Sequence, residues 1–129
     1  MDVDTPKIVA GLRGETRRVV SAENTAEALG SGDVPVFGTP AVLALIEEAA
    51  VDAIRAHLPE GATSVGSWVE LEHLGPSKVG AEVVATAELT AVEGRVLHFA
   101  CEAHDGNRLV ATAKHRRSLV DRDRFLSRV

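Results

Sequence analysis

The chain has 129 residues, a formal net charge of −5 and a single cysteine, Cys101. That length suits one domain able to bury a core without staples, the acidic balance argues against a general nucleic-acid binder, and one cysteine excludes an intramolecular disulfide. The opening MDVDTPKIVAG has acids where a signal peptide needs a basic start, and no apolar run approaches a membrane span, so the expectation is a cytoplasmic protein.

The first element is a strand around GETRRVV, residues 14–20, followed by loop chemistry in ALGSGDVP. A helix then opens at Thr39 and Pro40, where a threonine hydroxyl can cap orphan amides and a proline gives up an N–H that had no partner. HLPEG closes it about eighteen residues later, for a length of roughly 27 Å at 1.5 Å per residue. On a wheel of about 100° per residue, Leu43, Ala50, Val51, Ile54 and Leu58 fall on the same side as Glu47. Its neighbour Glu48 falls with Asp52 and Arg55 on the narrow polar sector, where a carboxylate is simply hydrated. A carboxylate on an apolar stripe is retained when it is paired, protonated or functional, because uncompensated burial costs several kcal/mol.

Everything beyond the helix alternates with period two. Val65, Ser67, Val69, Leu71 and His73 share one face of a strand, with Trp68, Glu70 and Glu72 on the other. LGPSKVG turns the chain into a strand whose inner row reads Val79, Ala81, Val83, Ala85, Ala87 and Leu89. EGR at 93–95 makes a hairpin into Leu97, Phe99, Cys101 and Ala103, and DGN at 105–107 makes the next. The last strand carries Leu109, Ala111, Ala113, His115 and Arg117 on one parity. Strand, one long apolar helix and four antiparallel strands predict an α+β fold in which a curved sheet of about five strands wraps the helix, all in one domain, 1–129. Its bare edge strands predict a homodimer that continues the sheet, or a tetramer of such dimers.

Helix and first long strand each turn one ionisable group inward, Glu47 and His73. A carboxylate meeting an imidazole gives an acid–base pair for acyl chemistry or a structural core pair, and spacing leaves both open. Thr39 is a helix cap or a hydroxyl that holds a water or carbonyl at the positive helix end. Gly66 interrupts a strand otherwise fit for side chains, which signals a bulge or a close backbone approach, with an amide available to an oxyanion. Cys101 lies among apolar neighbours and reads as core. The histidines show no ligand spacing, so no metal is expected. Lys114, Arg116, Arg117, Arg122, Arg124 and Arg128 crowd the last sixteen residues and read either as a solvated edge or as a site for an anionic group.

The stretches GSGDVPVFGTPAVLALIEEAA, SVGSWVELEHLGPSKVGAEV, EGRVLHFACEAHDG and KHRRSLV resemble the hotdog-fold acyl-CoA thioesterases of the fluoroacetyl-CoA thioesterase type, from about residue 14 to 125. The resemblance implies hydrolysis of a short-chain acyl-CoA thioester to the free acid and coenzyme A, without metal or redox cofactor. It matches Thr39, Glu47 and His73 to that family's catalytic threonine, glutamate and histidine, Gly66 to the glycine that approaches the thioester, and Arg117 to the arginine near the end of the last strand. On that basis Glu47 attacks the acyl carbon or activates water, His73 pairs with it and steadies the leaving thiolate, and Thr39 orients the water or carboxylate. Arg117, with Lys114 or Arg116, is expected on the phosphates of coenzyme A. Two departures stand out: Asp33 replaces the phenylalanine that closes the pocket of fluoroacetyl-specific members, and Arg116 replaces a glutamate. A non-catalytic acyl-CoA-binding dimer and a hotdog enoyl-CoA hydratase are the alternatives that the same residues allow.

Overall fold

Glycine 14 shows how the fold is assembled. In the computed structural model, which describes residues 7–129, an ideal Cβ at this position would lie 2.1 Å from the Ala49 carbonyl oxygen and 2.4 Å from the Ala53 amide nitrogen. Only a residue without a side chain lets the first strand, β1 (Arg13–Val19), come down onto the central helix, α2 (Thr39–Ile54). Two further bonds hold the crossing: Thr16 Oγ1 donates to the Leu45 carbonyl at 3.0 Å, and the Glu15 amide donates to the Asp52 carboxylate at 3.0 Å. The acidic opening compared above with a signal peptide lies largely outside the described residues.

Helix α2 begins from Gly38, whose extended backbone makes it the cap; Thr39 and Pro40 are already in the first turn. Thr39 is therefore not the N-cap that its residue type suggested, and its hydroxyl is free for another partner. The helix tightens into a 3₁₀ turn at Arg55–His57, close to the end expected from HLPEG. Its most buried meridian runs through Val42, Leu45, Ile46, Ala49 and Ala53. Each large aliphatic there contributes roughly 1.5–3 kcal/mol through burial. Leu43, Glu47 and Val51 form a flank that is only half-buried, so Glu47 stands at the border of the apolar stripe rather than in its middle.

Four strands follow: β2 (Ala62–His73), β3 (Glu82–Glu93), β4 (Val96–Asp105) and β5 (Arg108–Asp121). They join β1 in one antiparallel sheet of order β1-β3-β4-β5-β2, as the fold reading expected. The β3–β4 and β4–β5 hairpins turn through Gly94 and Gly106, at φ +62° and +61°, as EGR and DGN announced. Val83, Ala85, Ala87, Leu89, Leu97, Phe99, Cys101 and Ala103 face the helix and are buried. Two short helices, α1 (Ala26–Leu29) and α3 (Arg122–Leu126), went unforeseen; the side chains of Thr25 and Asp121 cap them. No helix of the described residues is long and apolar enough to cross a membrane.

Departures from strict alternation trace to bulges. The β2–β5 register shifts between Gly66 and Trp68, so Ser67 is the extra residue and side-chain parity inverts there. Ser64 and Gly66, rather than Val65 and Ser67, share the inner face with Val69, Leu71 and His73. A second shift, between Ala103 and His104, buries Val110 beside Ala111. Val79 precedes β3 and is exposed, so the inner row of that strand starts later than expected.

Candidate active site

The bulge in β2 brings its backbone against Glu47. An ideal Cβ on Gly66 would fall 2.3 Å from Glu47 Oε2, 3.3 Å from Arg117 Nη1 and 3.4 Å from His115 Cε1, so the carboxylate occupies the volume that a side chain would need. Across the sheet Gly66 registers with Arg117 and Val69 with His115, which places both β5 side chains under the helix beside Glu47.

Glu47 Oε2 accepts from Arg117 Nη1 at 3.0 Å and lies 3.8 Å from His115 Nε2. The rest of the guanidinium is held by Ser64: Nε donates to its Oγ at 2.9 Å and Nη2 to its carbonyl at 3.2 Å. Burial lowers the Arg117 pKa from its ordinary value, an effect that the Glu47 charge opposes. His115 is buried; burial is the main cause that lowers its pKa, and Arg117 adds to it against the Trp68 carbonyl and Glu47. Glu47 itself is open to solvent over 39% of its side chain. The opening is a cleft of about 250 Å³ lined by Glu47, Gly66, Ser67, Trp68, Val69 and His115, at the free edge of β2. A larger depression of about 460 Å³ on the outer face of the sheet, edged by Glu70, Glu88, Glu102 and Lys114, contains none of these groups.

His73 is elsewhere. At the far end of β2 its Nδ1 is 2.8 Å from Thr39 Oγ1, which joins the strand end to the first turn of α2. Its Nε2 is buried without a hydrogen-bond partner among the described residues, and burial lowers the ring's pKa, opposed by the Gly75 backbone. Within one chain, then, Glu47 and His73 do not pair: the partner of Glu47 is Arg117 and that of His73 is Thr39.

The basic residues also divide. Four of the five N–H groups of Arg117 are engaged by Ser64, Glu47 and His115 and the side chain is buried, so it faces Glu47 rather than the solvent side where the phosphates were expected. Arg116 points to the outer face, its guanidinium carbon 4.2 Å from the centre of the Trp68 ring. Lys114 alternates outward in the same way. Cys101 is buried and its thiol is pushed up to about 12 by burial, in keeping with a core residue and not a nucleophile. Ser64 and His115 had no role assigned from sequence. The signal for His115 was its place in the row Ala111, Ala113, His115, Arg117, where an imidazole shares the parity of buried alanines; Ser64 was hidden by the bulge.

A curved antiparallel sheet wrapped round one helix, with a carboxylate and an arginine paired at a bulged edge strand, is a hotdog fold, and its relatives place it among the thioester hydrolases. Residues 20–123 match the family model described as fluoroacetyl-CoA-specific thioesterase. The fluoroacetyl-CoA thioesterase of Streptantibioticus cattleyicolor is 34% identical over 94 residues, which are 73% of this chain and 68% of that one. A variant of the fluoroacetyl-CoA thioesterase solved with acetyl-CoA aligns at TM-score 0.86 and 29% identity, over 92% of this chain and 94% of its own. A thioesterase superfamily member from Thermus thermophilus aligns at 0.85 and 26% identity, over 93% and 89%. The chain belongs to the fluoroacetyl-CoA-specific thioesterase family.

Proposed function

We propose that the chain hydrolyses a short-chain acyl-CoA thioester to the free acid and coenzyme A, with Glu47 as the reacting carboxylate. The observation that carries this reading is the asymmetry of that carboxylate. Oε2 is fixed by Arg117, while Glu47 lines the adjoining cleft and stays 39% open to solvent, which leaves Oε1 for an acyl carbon or a water. Attack by Oε1 on the acyl carbon forms an anhydride and expels the thiolate of coenzyme A; water then cleaves the anhydride. Alternatively Oε1 takes a proton from the water that attacks. The backbone amide at Gly66 supports the oxyanion in either route. Thr39 and His73 supply the hydroxyl and the imidazole that orient water and steady the departing thiolate.

These two halves are joined by a homodimer. Along β2, Gly66 and His73 are about 23 Å apart at 3.3 Å per residue, and Thr39 and Glu47 about 12 Å apart along the helix. Antiparallel pairing of β2 with the same strand of a second copy, centred near Val69 and Glu70, carries the Thr39–His73 end of one chain to the Glu47–Gly66 end of the other. Three features support that interface: the unpaired edge of β2, the exposed Trp68 upon it and the half-buried flank Leu43, Val51 beside it. With Arg117 buried beside Glu47, the coenzyme phosphates are assigned to Arg95, Arg124 and Arg128. These line a depression of about 320 Å³ with Val120, Asp121 and Phe125, and none makes a salt bridge to another described residue.

The test is steady-state hydrolysis of acetyl-, propionyl- and longer acyl-CoA with thiol detection, on the wild type and on Glu47→Gln. Turnover in the wild type and its loss in the variant are expected. Saturable binding without cleavage over hours would instead mark an acyl-CoA-binding dimer, and water addition to an enoyl-CoA a hydratase.

A further inference from the structure

His115 is the one buried titratable group beside Glu47 to which the reaction above gives no task, and its hydrogen bonds determine which nitrogen carries the proton. Nδ1 lies 2.8 Å from the Trp68 carbonyl oxygen, which can only accept, so Nδ1 carries the hydrogen. In the neutral ring Nε2 is then an acceptor, and Arg117 Nη1 is 3.2 Å away to donate to it. That same Nη1 sends its other N–H to Glu47 Oε2 at 3.0 Å. The group facing His115 from its own strand is Arg117, from α2 it is Glu47, from β2 it is the Trp68 carbonyl beside Gly66, and from β4 it is the Phe99 ring, 6.1 Å between centroids.

We propose that His115 is a positioning residue for thioester cleavage: as the neutral Nδ1–H tautomer it ties the β2 bulge to Arg117 and thereby aims Nη1 at Glu47. The proposal rests on the reading of Glu47 given above. The reasoning is one of satisfied donors. Arg117 is buried, and Ser64 takes Nε and Nη2, so the second N–H of Nη1 has His115 Nε2 as its acceptor. Without that acceptor the guanidinium turns in search of another, and Oε2 of Glu47 moves with it. A protonated His115 is as harmful as an absent one, because Nε2 then becomes a donor aimed at a cation.

Two conservative variants separate the two bonds of the ring. Asparagine has an amide nitrogen at the place of Nδ1 and can keep the bond to Trp68, but offers nothing at Nε2. Glutamine reaches the place of Nε2 with an acceptor oxygen and gives up the bulge contact. The experiment measures kcat, KM and thermal stability of His115→Asn and His115→Gln on the best acyl-CoA, together with ¹⁵N imidazole spectra of the wild type at pH 7.5. The expected result is a kcat about 100-fold lower for His115→Asn at nearly unchanged KM, the scale of a carboxylate misplaced by about 1 Å. Recovery of most of that loss in His115→Gln, at a similar melting temperature, and an Nδ1–H, Nε2-unprotonated spectrum complete it. Equal activity of both variants with the wild type overturns the proposal, as does a loss that merely follows stability in both, or an Nε2–H tautomer. Should the wild type cleave no thioester, the reading of Glu47 fails by itself, while the spectrum still decides the tautomer.

Discussion

Replacing Gly66 by alanine separates the position of the Glu47 carboxylate from its chemistry. The added Cβ would be 2.3 Å from Glu47 Oε2, where ordinary contact begins at 3.4 Å, so the oxygen must retreat by about 1.1 Å. The retreat stretches the 3.0 Å bond to Arg117 Nη1. The obstruction is the tip of a flexible side chain, and the new methyl is only 3.3 Å from Arg117 Nη1 and 3.4 Å from His115 Cε1, so the fold accommodates it with small shifts. Loss of one charge-assisted hydrogen bond limits the cost in stability to about 2 kcal/mol. Misplacing a reacting group by about 1 Å costs about 100-fold in rate, or ~2.7 kcal/mol of transition-state stabilisation. Thiol-release assays on Gly66→Ala with the best acyl-CoA, alongside a thermal melt, should therefore give a folded protein with kcat/KM two orders of magnitude down. Wild-type kcat/KM in that variant would refute the assignment of Glu47, since no reacting carboxylate tolerates such displacement.

At Gly14 the obstruction is backbone on both sides, so Gly14→Ala should destabilise by at least about 3 kcal/mol in urea titration. His73 and His115 both have pKa values lowered in the fold, so each binds its proton more weakly folded than unfolded. Their contribution to stability is whole above about pH 6.5, the unfolded value, and is lost as pH falls through the lower folded values. Urea midpoints should be flat from pH 8 to 7 and decline below 6.5, less steeply in His73→Asn. For the double variant Arg124→Ala, Arg128→Ala, KM for acyl-CoA should rise about 5-fold with kcat unchanged, as expected for two exposed contacts; a phosphate-free thioester of N-acetylcysteamine should show no change.

What could be read in advance follows from which interactions are local. Helix periodicity located α2 and marked Glu47, and Gly-containing dipeptides located both hairpins, because each signal resides within a few neighbouring residues. Gly66 announced a bulge or a close approach, and both occur there. The partner of Glu47 was not legible in the same way. The single-residue insertion at Ser67 inverts parity along β2, and pairing of β2 with β5 depends on a register that no local pattern encodes. Arg117 was matched through the resemblance but expected on phosphate; its burial beside Ser64 and Glu47 arises only when the sheet closes over the helix. Thr39 was ambiguous because a threonine before proline caps helices so often; the extended Gly38 takes that place and releases the hydroxyl to His73.

A site divided between two copies makes a prediction that a self-contained site does not. In the dimer proposed above each symmetric pair would have two sites, and in each the Glu47 of one subunit would work with the His73 of the other. Consider Glu47→Gln and His73→Ala chains, each inactive alone, unfolded together and refolded at equal concentration. Random association makes half the dimers mixed. In a mixed dimer one site combines the intact Glu47 of one chain with the intact His73 of the other, while the second site has both substitutions. Half of the sites in half of the dimers are then whole, so the mixture should recover about one quarter of wild-type activity. If both groups served from the same chain, every site in every dimer would retain one lesion and the mixture would stay as inactive as its components. The separation of the Thr39–His73 pair from the Glu47–Arg117 pair within one chain favours the first outcome, and absence of recovery in a mixture verified to contain heterodimers would rule it out.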